Sequence, residues 1–194
     1  MAKKSVDLRC ETPAAWVEAV KGDFGAFLAD HANCERKASA TAMSMVVRFH
    51  DRHAIIPTLI DLAIEELEHF RACYRLMQAR GIALAPDAPD PYIRELLKHQ
   101  RHGRDEHFMD LLLIASIVET RGGERFRLVS ENMTDAEIAG FYKSLWACEA
   151  RHAHVYADMA LQYFDADAVQ ARLQELAEAE AEIIQRLPVR AALY

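Results

Sequence analysis

Glu66-Leu67-Glu68-His69 and Glu149-Ala150-Arg151-His152 decide how this chain is read. Each places a carboxylate and an imidazole three residues apart, and the two copies stand 83 residues apart. On a helix, residues i and i+3 share a face about one turn apart. One such pair can hold one metal ion, and two pairs on two helices can hold two. The rest of the chain must supply the helices and further inward carboxylates.

The surroundings are helical. Thr12-Pro13 reads as a cap and first residue of a short helix running to about Lys21, with Gly22 ending it. A long pattern follows from about Asp23 to Phe49, with Phe24, Phe27, Leu28, His31, Glu35, Ala42 and Val46 at helical spacing. After the polar break His50-Asp51-Arg52-His53, another helix runs from about Ile55 to Arg80; Pro57 is tolerable only in its first turn, and Gly81 suits its end. Residues 81–91 form a proline-rich connection, and Asp90-Pro91 opens a short helix ending near His102-Gly103. The next helix is expected from Asp105 to Arg121, stopped by Gly122-Gly123. Thr134-x-x-Glu137 then reads as a capping box opening a helix to Phe164, and a last helix covers Asp167 to Arg186. Nothing reads as a strand.

Four long helices with a long crossover between the second and third are the connectivity of a ferritin-like four-helix bundle. The expected fold is therefore all-α, a single domain over residues 1–194, with a short helix in the crossover and extra terminal helices. Composition agrees: of 194 residues 52% are hydrophobic, with 7 Gly and 6 Pro, which excludes a disordered chain. No apolar run reaches the ~18 residues that span a bilayer, and no apolar segment follows Met1-Ala2-Lys3-Lys4-Ser5, so a cytoplasmic protein is expected. Cys10, Cys34, Cys73 and Cys148 have no C-x-x-C spacing, which argues against a zinc ribbon, a rubredoxin-type iron site or a disulfide framework. A net charge of −7 requires any nucleic-acid partner to use a local basic patch.

Glu35 and Glu119 complete the metal pattern. Each sits on an apolar stripe, where a carboxylate is costly unless paired or metal-bound. Glu35 lies 31 residues before Glu66, and Glu119 lies 30 before Glu149. Residues that face one another in an antiparallel hairpin are equidistant from its turn. The midpoints fall at residues 50–51 and 134, on the polar break and on the expected cap. The expected ligands are thus Glu35, Glu66, His69, Glu119, Glu149 and His152. The competing pair Glu65 and His69 fails in the second copy, where Cys148 stands at the matching place. Carboxylates with two imidazoles and no thiolate suit iron or manganese better than zinc. Cys34 and Cys148 point about 100° away from the adjacent ligands and read as small core residues; His31 reads as a hydrogen-bonded buried histidine. Such a site can activate dioxygen for attack on a C–H bond, oxidise and store iron, or reduce peroxide with a partner. The residues alone leave these open.

The segments Asp30–Ala38, Glu65–Phe70, Ile117–Phe126 and Glu149–His152 resemble the MiaE family, tRNA-(2-methylthio-N6-isopentenyladenosine) hydroxylases, and the resemblance extends from about Thr12 to Phe164. It implies an O2-dependent non-haem di-iron monooxygenase that hydroxylates the isopentenyl side chain of the modified adenosine next to the tRNA anticodon. It also implies two iron ions on the six residues named, dioxygen as co-substrate, an external electron donor with its electron-transfer partner, and tRNA as substrate. Arg94, Lys98, Arg101 and Arg104 in the crossover, with Arg125 and Arg127 further on, are the basic residues available to contact phosphates. The alternatives are a ferritin-like iron oxidation and storage protein, or a di-iron oxidase of another substrate.

Overall fold

Each Glu-x-x-His pair lies on the second helix of an antiparallel hairpin, and each hairpin belongs to its own compact unit of the chain. The computed structural model describes residues 7–194; Met1–Ser5, considered above for a leader, lies outside them. One unit comprises residues 18–88 with 190–193, and the other the chain through Val17, residues 89–189 and Tyr194. The boundary falls within α1 (Ala14–Gly22). Among the described residues there is no strand, and no helix is long and apolar enough to cross a membrane.

In the first unit, α2 (Phe24–Arg48) begins where the side chain of Asp23 accepts from the N–H of Ala26 at 2.9 Å. A single 3-10 turn, His53–Ile55, leads into α3 (Ile56–Ala79), whose Pro57 stands in the first turn where no N–H is missed. Gly81 ends α3 at φ 66°, while the N–H of Ile82 donates to the carbonyl of Met77 and that of Gly81 to Gln78. This is the paired closure that glycine permits at a helix end. The hydroxyl of Ser39 donates to the carbonyl of Ala63 at 2.7 Å and pins α2 to α3. The crossover that follows is tied to α2: Asn33 donates to the carbonyl of Ala85, and Arg36 and Lys37 both hold Asp87 at 3.1 Å.

In the second unit, Asp90 caps α4 (Pro91–Leu97), which stops five residues short of the expected end. α5 (Arg104–Asn132) and α6 (Ala136–Leu161) form the hairpin, and α7 (Ala166–Arg186) packs against it. Two expectations are corrected here. α5 does not stop at Arg121 but runs through Gly122 and Gly123. Glycine there serves close approach rather than termination: a Cβ on Gly122 would lie 2.8 Å from the Tyr194 hydroxyl, and one on Gly123 would lie 3.3 Å from the Cβ of Glu149. The cap of α6 is Asp135, whose carboxylate accepts from the N–H groups of Glu137 and Ile138, and not Thr134. A carboxylate at that position also suits the positive end of the helix dipole.

Two ionic knots hold this unit. The fully buried Asp110 accepts from Arg101 and Arg172, so the end of the crossover, α5 and α7 meet on one carboxylate. Burial pushes the Asp110 carboxyl up, yet the hydrogen bonds from Arg172 and Arg101 hold it below the ordinary carboxylate value. The second knot is Arg121, also fully buried. Its guanidinium donates to Glu180 at 2.7 and 3.0 Å, to Glu124 at 2.6 Å and to the carbonyl of Cys10 at 3.0 Å. Tyr92 donates to the same Glu180, and Thr12 gives its hydroxyl and N–H to Glu124 rather than capping α1. Tyr194 stacks on Tyr92 with ring centroids 5.0 Å apart and donates to the carbonyl of Val118.

Candidate metal centre

In the α2–α3 unit, Glu35 and Glu66 are buried and His69 is nearly so. His69 Nδ1 lies 3.2 Å from Glu66 Oε2 and 3.7 Å from Glu35 Oε2. One donor atom of each of the three lies within 4.8 Å of the others. The helical repeat brings Glu66 and His69 together, and the hairpin brings Glu35 to them. On the other side of Glu35, His31 Nε2 approaches Oε1 to 2.5 Å. Burial raises the Glu35 carboxyl, but the adjoining His31 and the hydrogen bonds it receives outweigh this and hold it well below the usual carboxylate range. Glu35 is therefore a buried carboxylate whose charged form is favoured by its imidazole neighbours.

The α5–α6 unit repeats the arrangement. Glu119, Glu149 and His152 are all buried, with donor atoms again within 4.8 Å of one another and His152 Nδ1 3.7 Å from Glu149 Oε2. Ser116 Oγ donates at 2.7 Å to the carbonyl of Ala153, one turn from Glu119 and one residue past His152, and this fixes the register of the two helices. The missing side chain at Gly123 lets α6 come close at Glu149.

Each unit thus converges two carboxylates and one imidazole in a buried position. Two neighbouring carboxylates repel unless a proton or a cation lies between them, and a buried anion needs a compensating charge. Oxygen-rich donor sets with imidazole fit iron or manganese. The residues present therefore fit the metal expected of them.

Other residues depart from expectation. Cys148 points away from Glu149, but four residues on along α6 it meets His152, with Sγ 3.7 Å from Nε2, and Arg151 donates to the same sulfur. Cys34 lies 3.9 Å from a carboxylate oxygen of Asp30. Sequence reading gave no role to Cys73, which lies beside His31; its place four residues beyond His69 on α3 is the signal that was available. Among the basic residues considered for tRNA, Arg94, Lys98 and Arg104 are exposed, with Lys98 paired to Glu95 at 2.6 Å and Arg94 3.9 Å from the same carboxylate. Arg101 is engaged by Asp110, and Arg127 pairs with Glu131 at 2.7 Å. Arg125 is corrected: it is buried, with its guanidinium 5.0 Å from the centroid of Trp16 and donating to Thr12, and it presents no charge to a polyanion. It lies on the inner face of α5, one turn past Arg121, because that helix continues where it was expected to end.

Comparison with known proteins gives a consistent picture. The family model described as tRNA-(MS[2]IO[6]A)-hydroxylase (MiaE) matches residues 1–191. A tRNA 2-(methylsulfanyl)-N(6)-isopentenyladenosine(37) hydroxylase from Pseudomonas putida is 37% identical over 179 residues, 92% of this chain and 86% of the relative. A protein of the same description from Salmonella typhimurium is 26% identical, covering 91% of this chain and 83% of the relative. Among solved structures, "Protein 43 with aldehyde deformylating oxygenase activity from Synechococcus" superposes with a TM-score of 0.92 at 33% identity, covering 96% of this chain and 94% of that one. The fold is the all-α, ferritin-like one.

Proposed function

The chain belongs to the MiaE family, and on that premise we propose that it hydroxylates the isopentenyl side chain of 2-methylthio-N6-isopentenyladenosine beside the tRNA anticodon, as an O2-dependent non-haem di-iron monooxygenase. The observation that carries the reading is the repeated triad: each unit brings Glu, Glu and His donors within 4.8 Å in a buried position. We assign Glu35, Glu66, His69, Glu119, Glu149 and His152 as the ligands of two irons, and treat residues 1–194 as one functional domain because both triads are needed. A reduced di-iron centre supplies the activation of dioxygen that C–H hydroxylation needs. One oxygen atom goes to the product and the other to water, with two electrons and two protons from an external donor and its carrier protein.

The protein's own residues do the rest. The four carboxylates supply four negative charges against two divalent cations, so the loaded centre is close to neutral and tolerates burial. The burial of these donors keeps bulk water from a reactive site. The substrate base must leave the stack to bring its alkyl tail inward. Arg94, Lys98 and Arg104 are the exposed cations offered to phosphates, and a tRNA substrate implies work in the cytoplasm.

A second reading has a specific observation behind it, the similarity to a protein with aldehyde deformylating oxygenase activity. One experiment separates the possibilities. Iron-loaded, chemically reduced protein is given oxygen with tRNA carrying the isopentenyl modification, or with an aldehyde, or with excess ferrous iron. A gain of one oxygen on the modified nucleoside supports the proposal. Loss of the aldehyde's formyl carbon without nucleoside oxidation, or oxidation and retention of the excess iron, replaces it with the corresponding alternative.

A further inference from the structure

We propose that His31 is a positioning residue for Glu35: it holds one carboxylate oxygen, so that only the other is presented to iron, and Cys73 in turn fixes the imidazole. The inference rests on the reading of Glu35 as a ligand.

His31 lies one turn before Glu35 on α2, fully buried, with Nε2 2.5 Å from Oε1. At that distance the two atoms share a hydrogen bond, and with Nε2 as its donor the carboxylate oxygen accepts. The other oxygen, Oε2, is the one 3.7 Å from His69 Nδ1. The two oxygens of Glu35 are thus divided between two imidazoles, and a carboxylate held in this way offers a metal one oxygen in one direction.

The imidazole is itself constrained. Its ring stacks on Phe27, with centroids 6.1 Å apart, and Cys73 Sγ lies 3.5 Å from Nδ1 and 3.7 Å from Nε2. A thiol, an imidazole and a carboxylate in that order are the parts of a cysteine-nucleophile triad. Here Cys73 is fully buried, and that burial pushes its thiol well above the ordinary value, so it stays protonated and unreactive. Its one hydrogen has Nδ1 as the nearer ring nitrogen, which favours the proton on Nε2, facing Glu35. In this desolvated position the bond from Nε2 is stronger than it would be in water.

Four residues before Glu119 and Glu149 the sequence holds no counterpart of His31. Ala115 and Leu145 stand one turn before Glu119 and Glu149, and neither side chain can donate a hydrogen bond. The His31 contact thus sets Glu35 before any metal arrives.

The test is metal titration of the apo-protein with Mn(II), free ion being followed by electron paramagnetic resonance, alongside thermal melts. His31→Leu should fold and weaken one of the two equivalents by about 10–100-fold while leaving the other. His31→Gln, whose side-chain N–H can reach the carboxylate, should recover most of that loss. Wild-type affinity for both equivalents in folded His31→Leu overturns the proposal. So does a loss as deep in His31→Gln, because packing rather than the hydrogen bond is then responsible. If His31→Leu does not fold, His31→Met takes its place. Glu35→Ala separates this from the underlying reading: loss of an equivalent there with none in His31→Leu rejects only the role of His31, whereas full binding in Glu35→Ala rejects the ligand assignment itself.

Discussion

Gly123 and Glu149 face each other so closely that a methyl group on the glycine would stand 3.3 Å from the Cβ of the glutamate. That separation is tighter than ordinary packing, so Glu149 must move by a few tenths of an ångström to admit a side chain. Alanine is favoured over glycine within a helix by up to ~1 kcal/mol. Gly123→Ala should therefore keep or raise the melting temperature while weakening metal binding. Calorimetry with metal titration checks this; a lowered melting temperature with normal metal binding counts against it.

Gly122 makes the companion contact with Tyr194. A Cβ there would lie 2.8 Å from the phenolic oxygen, which itself donates to the carbonyl of Val118. Gly122→Ala should destabilise the protein by ~1–3 kcal/mol through overpacking. In a Tyr194→Ala background the same change should be neutral or stabilising. Denaturant melts of the four proteins measure the coupling.

These two glycines also show where sequence reading stops. The four long helices and the six acidic and imidazole candidates were legible because apolar periodicity and ligand spacing are local or pairwise properties. A glycine pair, however, signals a helix end or a close contact with equal strength. Only the partners, Tyr194 and Glu149, decide between them, and they are remote in sequence. Arg125 was assigned to the surface for the same reason, since an expected end at Arg121 removed the helical face that buries it. The exchange of Thr134 for Asp135 is a smaller error, as both residues can cap and only backbone angles choose. Charge alone did not reveal that Asp110 and Arg121 are buried.

Arg121 is fully buried against Glu180, which is equally buried. Removing one partner leaves an uncompensated charge inside, at a cost of ~3–5 kcal/mol. Arg121→Met should lose about that much in urea titrations, and Arg121→Met with Glu180→Leu should recover a large part. A single variant as stable as the parent contradicts this account of the knot.

Asp110 gives a pH prediction. Its carboxyl is held below the ordinary value in the folded protein, with its two arginines outweighing the effect of burial. The stability it contributes is fully present above its unfolded value and is lost as pH falls through the lower folded one. Asp110→Asn should therefore be less stable than the parent at neutral pH, and the gap should narrow below about pH 4. Denaturation midpoints measured from neutral pH down into the acid range follow the difference.

The exposed cations bear on the proposed substrate. Replacing Arg94, Lys98 and Arg104 together should weaken tRNA binding across sequences and reduce the salt slope by about one for each phosphate that is no longer neutralised. Arg125→Met, compared in its folded form, should leave the slope unchanged. Filter binding from about 50 to about 200 mM salt distinguishes the two. An unaltered slope in the triple variant moves the interface elsewhere.

The continuous passage of α5 through Gly122 and Gly123 has a meaning for folding as well. Two adjacent glycines make the middle of this long helix its weakest local segment, about 2 kcal/mol poorer than two alanines. Helix formation is cooperative, so α5 gains little by completing itself in isolation. Its centre becomes worthwhile to order once α6 lies against Gly123 and Tyr194 against Gly122. The stretch bearing Glu119 thus draws its order from the same packing that closes the hairpin, and the carboxylate reaches its final setting only with Glu149 and His152 beside it.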